Sequence, residues 1–121
     1  MPAQQADDDA RRKAVFYAES VLRGQLGVLE GCVVLAEIAG RVVPSWIDDS
    51  DFAVIGGVAS ECDGIPLGDV RHQWKGAALE RMDAEAQKYT DQVRDLVVKA
   101  CENIVARFGN RDEDQLPGSV V

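Results

Sequence analysis

An all-α domain, a small bundle of about four helices with a long C-terminal helix, is the fold this sequence predicts, and three observations predict it. Apolar residues recur at spacings of three and four in separate blocks along the chain. Aspartate runs and glycines stand at the block boundaries, where helices start and stop. At 121 residues the chain is one domain, long enough to bury about two-thirds of its unfolded surface. Aromatic residues are only 6% of it, so its core must rest on Val, Leu, Ile and Ala. Residues 7–109 are expected to form the domain, with 1–6 a disordered tail and 110–121, which contains Pro117-Gly118, a flexible one.

The first helix is expected over about Ala10 to Arg23, with Ala14, Ala18, Val21 and Leu22 inward. Asp7, Asp8 and Asp9 offer it a cap and favourable acids at its positive end, and Gly24 a stop. Gly27 to Ala39 reads as a second helix closed by Gly40, apolar over most of its circumference and so central. Gly27 and Gly31, four apart, would let a neighbouring backbone come close, and the short link makes the first two helices an antiparallel hairpin. Glu30 and Glu37 mark the second helix's solvent edge. Val43 is kept extended by Pro44.

Asp48, Asp49, Ser50 and Asp51 signal the start of a third element, Phe52 to about Cys62. Phe52, Ile55, Val58 and Ala59 suit a helix there, while Gly56 and Gly57 each weaken it by about 1 kcal/mol relative to Ala and leave a strand or broken helix open. Asp63-Gly64-Ile65-Pro66 is turn chemistry, and Gly68 to Trp74 suits one short helical turn. The last helix runs from about Ala77 to Phe108. Its stripe is Leu79, Met82, Ala86, Tyr89, Val93, Leu96 and Ala100, after which Ile104 and Phe108 shift it, and Gly109-Asn110 ends the helix. Arg81–Glu85, Glu85–Lys88, Asp91–Arg94 and Asp95–Lys99 are spaced to support its outer face. The stripe could drive dimerisation, leaving monomer or homodimer open, but the first two helices satisfy it more simply.

A net charge of −8 argues against nucleic acid or an anionic membrane as partner, because phosphate binding needs clustered Lys and Arg. The charge is uneven: residues 25–76 hold eight acids against Arg41, Arg71 and Lys75. Cys32, Cys62 and Cys101 are odd in number and far apart, which reads as a reduced, cytoplasmic protein. The N-terminus has no basic-then-apolar leader pattern, and the longest apolar stretch, Gly31 to Gly40, is too short to span a bilayer.

Polar, titratable and aromatic groups concentrate in the stretch from Ala59 to Trp74. A Cys62/His72 nucleophile pair oriented by Asp63 or Asp69 would need thiolate and base within hydrogen-bond reach, and nothing in the flanking sequence supports it. Glu61, Asp63, Asp69 and His72 could ligate a divalent metal, yet their spacing fits neither an EF-hand loop nor a His-Glu-x-x-His helix. One histidine supplies too few nitrogen ligands for a typical zinc site. Glycine patterns such as Gly56-Gly57 lack the strand-to-helix context of a phosphate cradle. The simpler reading is structural. Arg71 pairs with Glu61, Asp63 or Asp69, and Trp74 packs beneath the segment against the long helix, so neither a cofactor nor a metal is expected.

Gly27-Val28-Leu29-Glu30-Gly31-Cys32, then Asp51-Phe52, then Ser60-Glu61-Cys62-Asp63-Gly64-Ile65-Pro66-Leu67-Gly68-Asp69-Val70-Arg71-His72-Gln73-Trp74, together resemble a group of small bacterial proteins of unknown function. The likeness covers about Gly24 to Phe108. Gly76 departs from it, standing where a Ser or Asp cap belongs. The resemblance implies an α-rich bacterial cytosolic protein and carries no assigned activity. Some proteins of this size and type serve as immunity partners of secreted toxins. The expected role is accordingly a non-enzymatic interaction protein, of immunity or antitoxin type, that binds a basic partner through Trp46, Asp48, Asp49 and Asp51. The alternative is a small-ligand or metal site, with or without catalysis, in the cluster Glu61, Asp63, Asp69, Arg71, His72 and Trp74.

Overall fold

A computed structural model of the chain describes residues 2–62 and 76–109, the side chains of residues 2–7 excepted. Its helices are α1 (Pro2–Leu22), α2 (Val28–Val42), α3 (Ser50–Glu61) and α4 (Gly76–Ile104). A 3-10 turn, Trp46–Asp48, joins α2 to α3, and a π-helical turn, Val105–Gly109, prolongs α4. No strand occurs among the described residues, so the expected all-α bundle with a long last helix is the fold.

The helices pack as a ring, α1 on α2, α2 on α3, α3 on α4 and α4 back on α1, with a smaller contact of α2 on α4 across it. The order is up and down. Gly24, at φ +76°, adopts the left-handed conformation that ends α1, and the amides of Gln25 and Leu26 return to the Ser20 carbonyl at 2.9 and 3.1 Å. α2 then runs back along α1, and Gly31 accepts the Val21 side chain where any Cβ would collide with it. Gly27 has a different job from the one its spacing suggests: it is the extended residue that begins α2.

Three boundaries differ from expectation. α1 starts at Pro2, ahead of the aspartate run, so Asp8 and Asp9 brace its side through Arg11 and Lys13, both at 3.2 Å, instead of capping it. α2 passes through Gly40 and ends where Val43 turns extended before Pro44. α3 is an unbroken helix across Gly56 and Gly57. The need for Gly56 comes from outside α3: the Trp46 ring lies so close to it that a side chain there would strike the ring, and the poor local propensity is tolerated.

The core is a layer of small and branched side chains. Ala10, Ala14 and Ala18 of α1 face Cys32 and Leu35 of α2, Phe52 and Ile55 of α3, and Val97, Cys101 and Ile104 of α4. Of the expected α4 stripe, Ala100 is buried and Val93 packs against the core, while Leu96 is misplaced by one residue. Leu96 is 59% exposed and Val97 is fully buried, because Ala100, Cys101 and Ile104 set the face that meets the ring. From Gly76 to Leu96, α4 has no buried residue at all. Of the ion pairs its spacing allowed, Asp91–Arg94 forms, at 3.0 Å, and Gln87 also donates to Asp91. No helix among the described residues is long and apolar enough to cross a membrane.

Candidate functional site

The start of α3 and the end of α4 meet at a compact polar cluster. Asp49 precedes α3, and its Oδ1 accepts the amides of Asp51 and Phe52 at 3.1 and 3.2 Å, satisfying two of the helix's orphan donors. The same carboxylate takes a two-pronged grip from Arg107 on the π-helical turn, at 2.7 and 3.0 Å. Arg107 Nη1 also donates to Asp51 Oδ2 at 3.0 Å, and Asn103 Nδ2 donates to Asp51 Oδ1 at 2.9 Å. One guanidinium therefore bridges two carboxylates, in the forked geometry that makes arginine–carboxylate pairs strong. Arg107's hydrogen bonds hold the Asp49 carboxyl below its usual range, against the upward push of partial burial. The Phe52 and Asp51 amides add to that effect. Beneath the cluster, Phe108 lies under the Arg107 guanidinium at 4.9 Å and against Phe52 at 6.5 Å between ring centroids.

The acidic patch expected at residues 46–51 is thus divided. Asp49 and Asp51 turn inward to Arg107 and Asn103. Trp46 is half-buried and packed against the core, its indole lying between Gly40 and Gly56. Asp48 remains at the surface and makes no ion pair among the described residues. Beside it, Ile47 is 71% exposed, more than any other large apolar side chain described. Sequence reasoning missed Arg107, Asn103 and Ile47. Two signals for the first pair were present: Asn103 and Arg107 are four apart on one helix face, and the acids at 48–51 have no base within reach along the chain.

Of the second expected cluster, Asp63, Asp69, Arg71, His72 and Trp74 lie outside the described residues; Glu61 is exposed at the end of α3. Cys62 is buried, and the Cys62/His72 pairing cannot be placed without His72. Cys32, Cys62 and Cys101 are all buried. Burial, reinforced by the neighbouring thiols, pushes Cys32 up to about 12, and burial pushes Cys101 up to about 11. Both are therefore protonated and poor nucleophiles at neutral pH. Among the described residues no group of three His, Cys, Asp or Glu is arranged to hold a metal ion. At the opposite end of the bundle an open groove runs between the α1–α2 turn and α4, lined by Leu26, Val28, Ala86, Thr90 and Arg94 among others. Comparisons of the chain with protein-family models, curated proteins and solved structures find no match.

Proposed function

We propose that this is a non-enzymatic interaction protein that binds a basic protein partner, in the manner of an immunity protein that neutralises a secreted toxin. The observation that carries the reading is the charge of the stretch from α2 through α3. Between residues 25 and 62, α2, the 3-10 turn and α3 bear six acids (Glu30, Glu37, Asp48, Asp49, Asp51 and Glu61) against the single base Arg41. Arg107 neutralises only part of this, and Glu30, Glu37, Asp48 and Glu61 stay exposed. Such a field speeds encounter with a cationic surface and disfavours polyanions. The resemblance read from the sequence implies a small bacterial cytosolic protein, and the immunity role some proteins of that type have supports the same reading.

The test is a partner search with a chemical criterion. Tagged protein is incubated in a lysate of the source cells, captured proteins are identified, and the purified candidate is titrated at low and physiological salt. The expected partner is a basic protein whose association slows as salt rises. If it is a toxin, co-expression of the present protein restores growth. Capture of no specific protein, or an affinity indifferent to salt, contradicts the reading.

A further inference from the structure

We infer that Ile47, carried on the rigid 3-10 turn Trp46–Asp48, is the anchor that enters an apolar pocket on the basic partner, with Asp48 meeting a cation at that pocket's rim. The inference rests on the interaction reading above and adds where the partner docks and what its surface must look like.

Exposure alone does not carry it, since single apolar side chains are common on protein surfaces. The support beneath Ile47 does. On one side Trp46 is wedged between Gly40 and Gly56, and Gly56 has no room for any side chain. On the other side Asp49 is fixed by the α3 amides and by the Arg107 fork. Within the turn, the Asp48 and Asp49 amides bond back to the carbonyls of Ser45 and Trp46, each at 3.0 Å. A residue 71% exposed is thus held between two immobilised neighbours. Ordering an interface side chain and its loop normally costs binding energy, about 0.5–1.5 kcal/mol per side chain, and here much of that ordering is complete before the partner arrives.

Charge complementarity selects the partner. Phe16, 65% exposed on α1, sits among Arg12, Lys13 and Glu19, a mixed surface with no clear sign. Ile47 instead adjoins the exposed Asp48, which makes no ion pair among the described residues, and lies one turn from Asp49 and Asp51, whose two carboxylates share the single guanidinium of Arg107. An apolar side chain beside a carboxylate fits an apolar pocket rimmed by Lys or Arg.

The experiment uses the full chain and the basic protein captured by it. Wild type, Ile47→Asp, Asp48→Lys and the control Phe16→Asp are first shown to melt alike, then followed by association and dissociation kinetics on the immobilised partner. Ile47→Asp is expected to dissociate at least roughly tenfold faster, as loss of an anchor does. Asp48→Lys is expected to slow association, and Phe16→Asp to change neither rate. Wild-type dissociation in Ile47→Asp overturns the inference while leaving the interaction reading intact. Absence of any basic partner for the wild type overturns both.

Discussion

The two ends of α4 live in different surroundings. From Val97 to Phe108 the helix is built into the ring: Val97, Cys101 and Ile104 are fully buried, and Arg107 and Phe108 grip the start of α3. From Gly76 to Leu96 every described residue keeps contact with solvent, although Leu79, Met82, Ala86, Tyr89 and Val93 form as regular an apolar stripe as the second half does. Periodicity alone therefore does not measure burial. Among the described residues, Ala86, Tyr89 and Val93 rest against the core beside the end of α3 and the α1–α2 turn without being enclosed by it. The enclosed half of α4 is the half that meets the start of α3, next to the turn that carries Ile47.

The sharpest contrast should come from truncations in the two regions. Phe52→Ala, which empties a fully buried site against Phe108, is expected to cost about 3–5 kcal/mol in denaturant unfolding. Met82→Ala on the first half of α4 is expected to cost below about 1 kcal/mol. Equal losses would mean the first half of α4 is as much core as the second.

Next in size is a pair of adjacent glycines. Gly56→Ala drives a methyl into the Trp46 ring and is expected to destabilise by about 1–3 kcal/mol. Gly57→Ala meets nothing within 4 Å and is expected to stabilise by roughly 0.5–1 kcal/mol through helix propensity. If both substitutions stabilise, Trp46 is free to move and Ile47 is not rigidly held.

Arg107→Ala leaves two mostly buried carboxylates facing each other, and a loss of about 1–2 kcal/mol is expected, reduced from a fully buried pair because the guanidinium is partly in water. The pH dependence follows from Asp49. Its carboxyl titrates lower in the folded protein than in the unfolded chain, so its contribution is full above the ordinary value of 3.8 and is lost as pH falls through the depressed one. Wild-type stability should therefore drop on acidification below about pH 4, and Arg107→Ala should flatten that drop. An unchanged acid limb in Arg107→Ala would mean the fork does not set the Asp49 carboxyl. Smallest of all, Ile47→Asp is expected to alter stability by no more than about 0.5 kcal/mol, by melting temperature, since little of the side chain is covered.

Much of the fold was legible because it is local. Gly24 as a stop, Pro44 keeping Val43 extended, and the aspartates at 48–51 opening α3 each act within a few residues, and each appears as expected. What escaped depends on partners distant in sequence. The need for Gly56 in α3 comes from the Trp46 ring packed against it, and the exposure of Leu96 from which face of α4 the other helices meet. The acidic cluster shows the limit most plainly. Capping could be read from Asp49 and its neighbours, but the capture of Asp49 and Asp51 by Arg107 spans 56 to 58 residues. The spacing of Asn103 and Arg107 marks a polar helix face but not which acids it meets, and that pairing decides which acids remain outside for a partner.

Native-state hydrogen exchange tests the central claim most directly, that the half of α4 meeting the start of α3 is more firmly held than the half from Gly76 to Leu96. Amides of Phe52 to Ile55 and Val97 to Ile104 should open only with global unfolding, while those from Ala78 to Tyr89 should open at a small fraction of that free energy. Protection that is uniform along α4, or fast exchange at Asp49 and Phe52 matching that of the α4 start, would contradict the account.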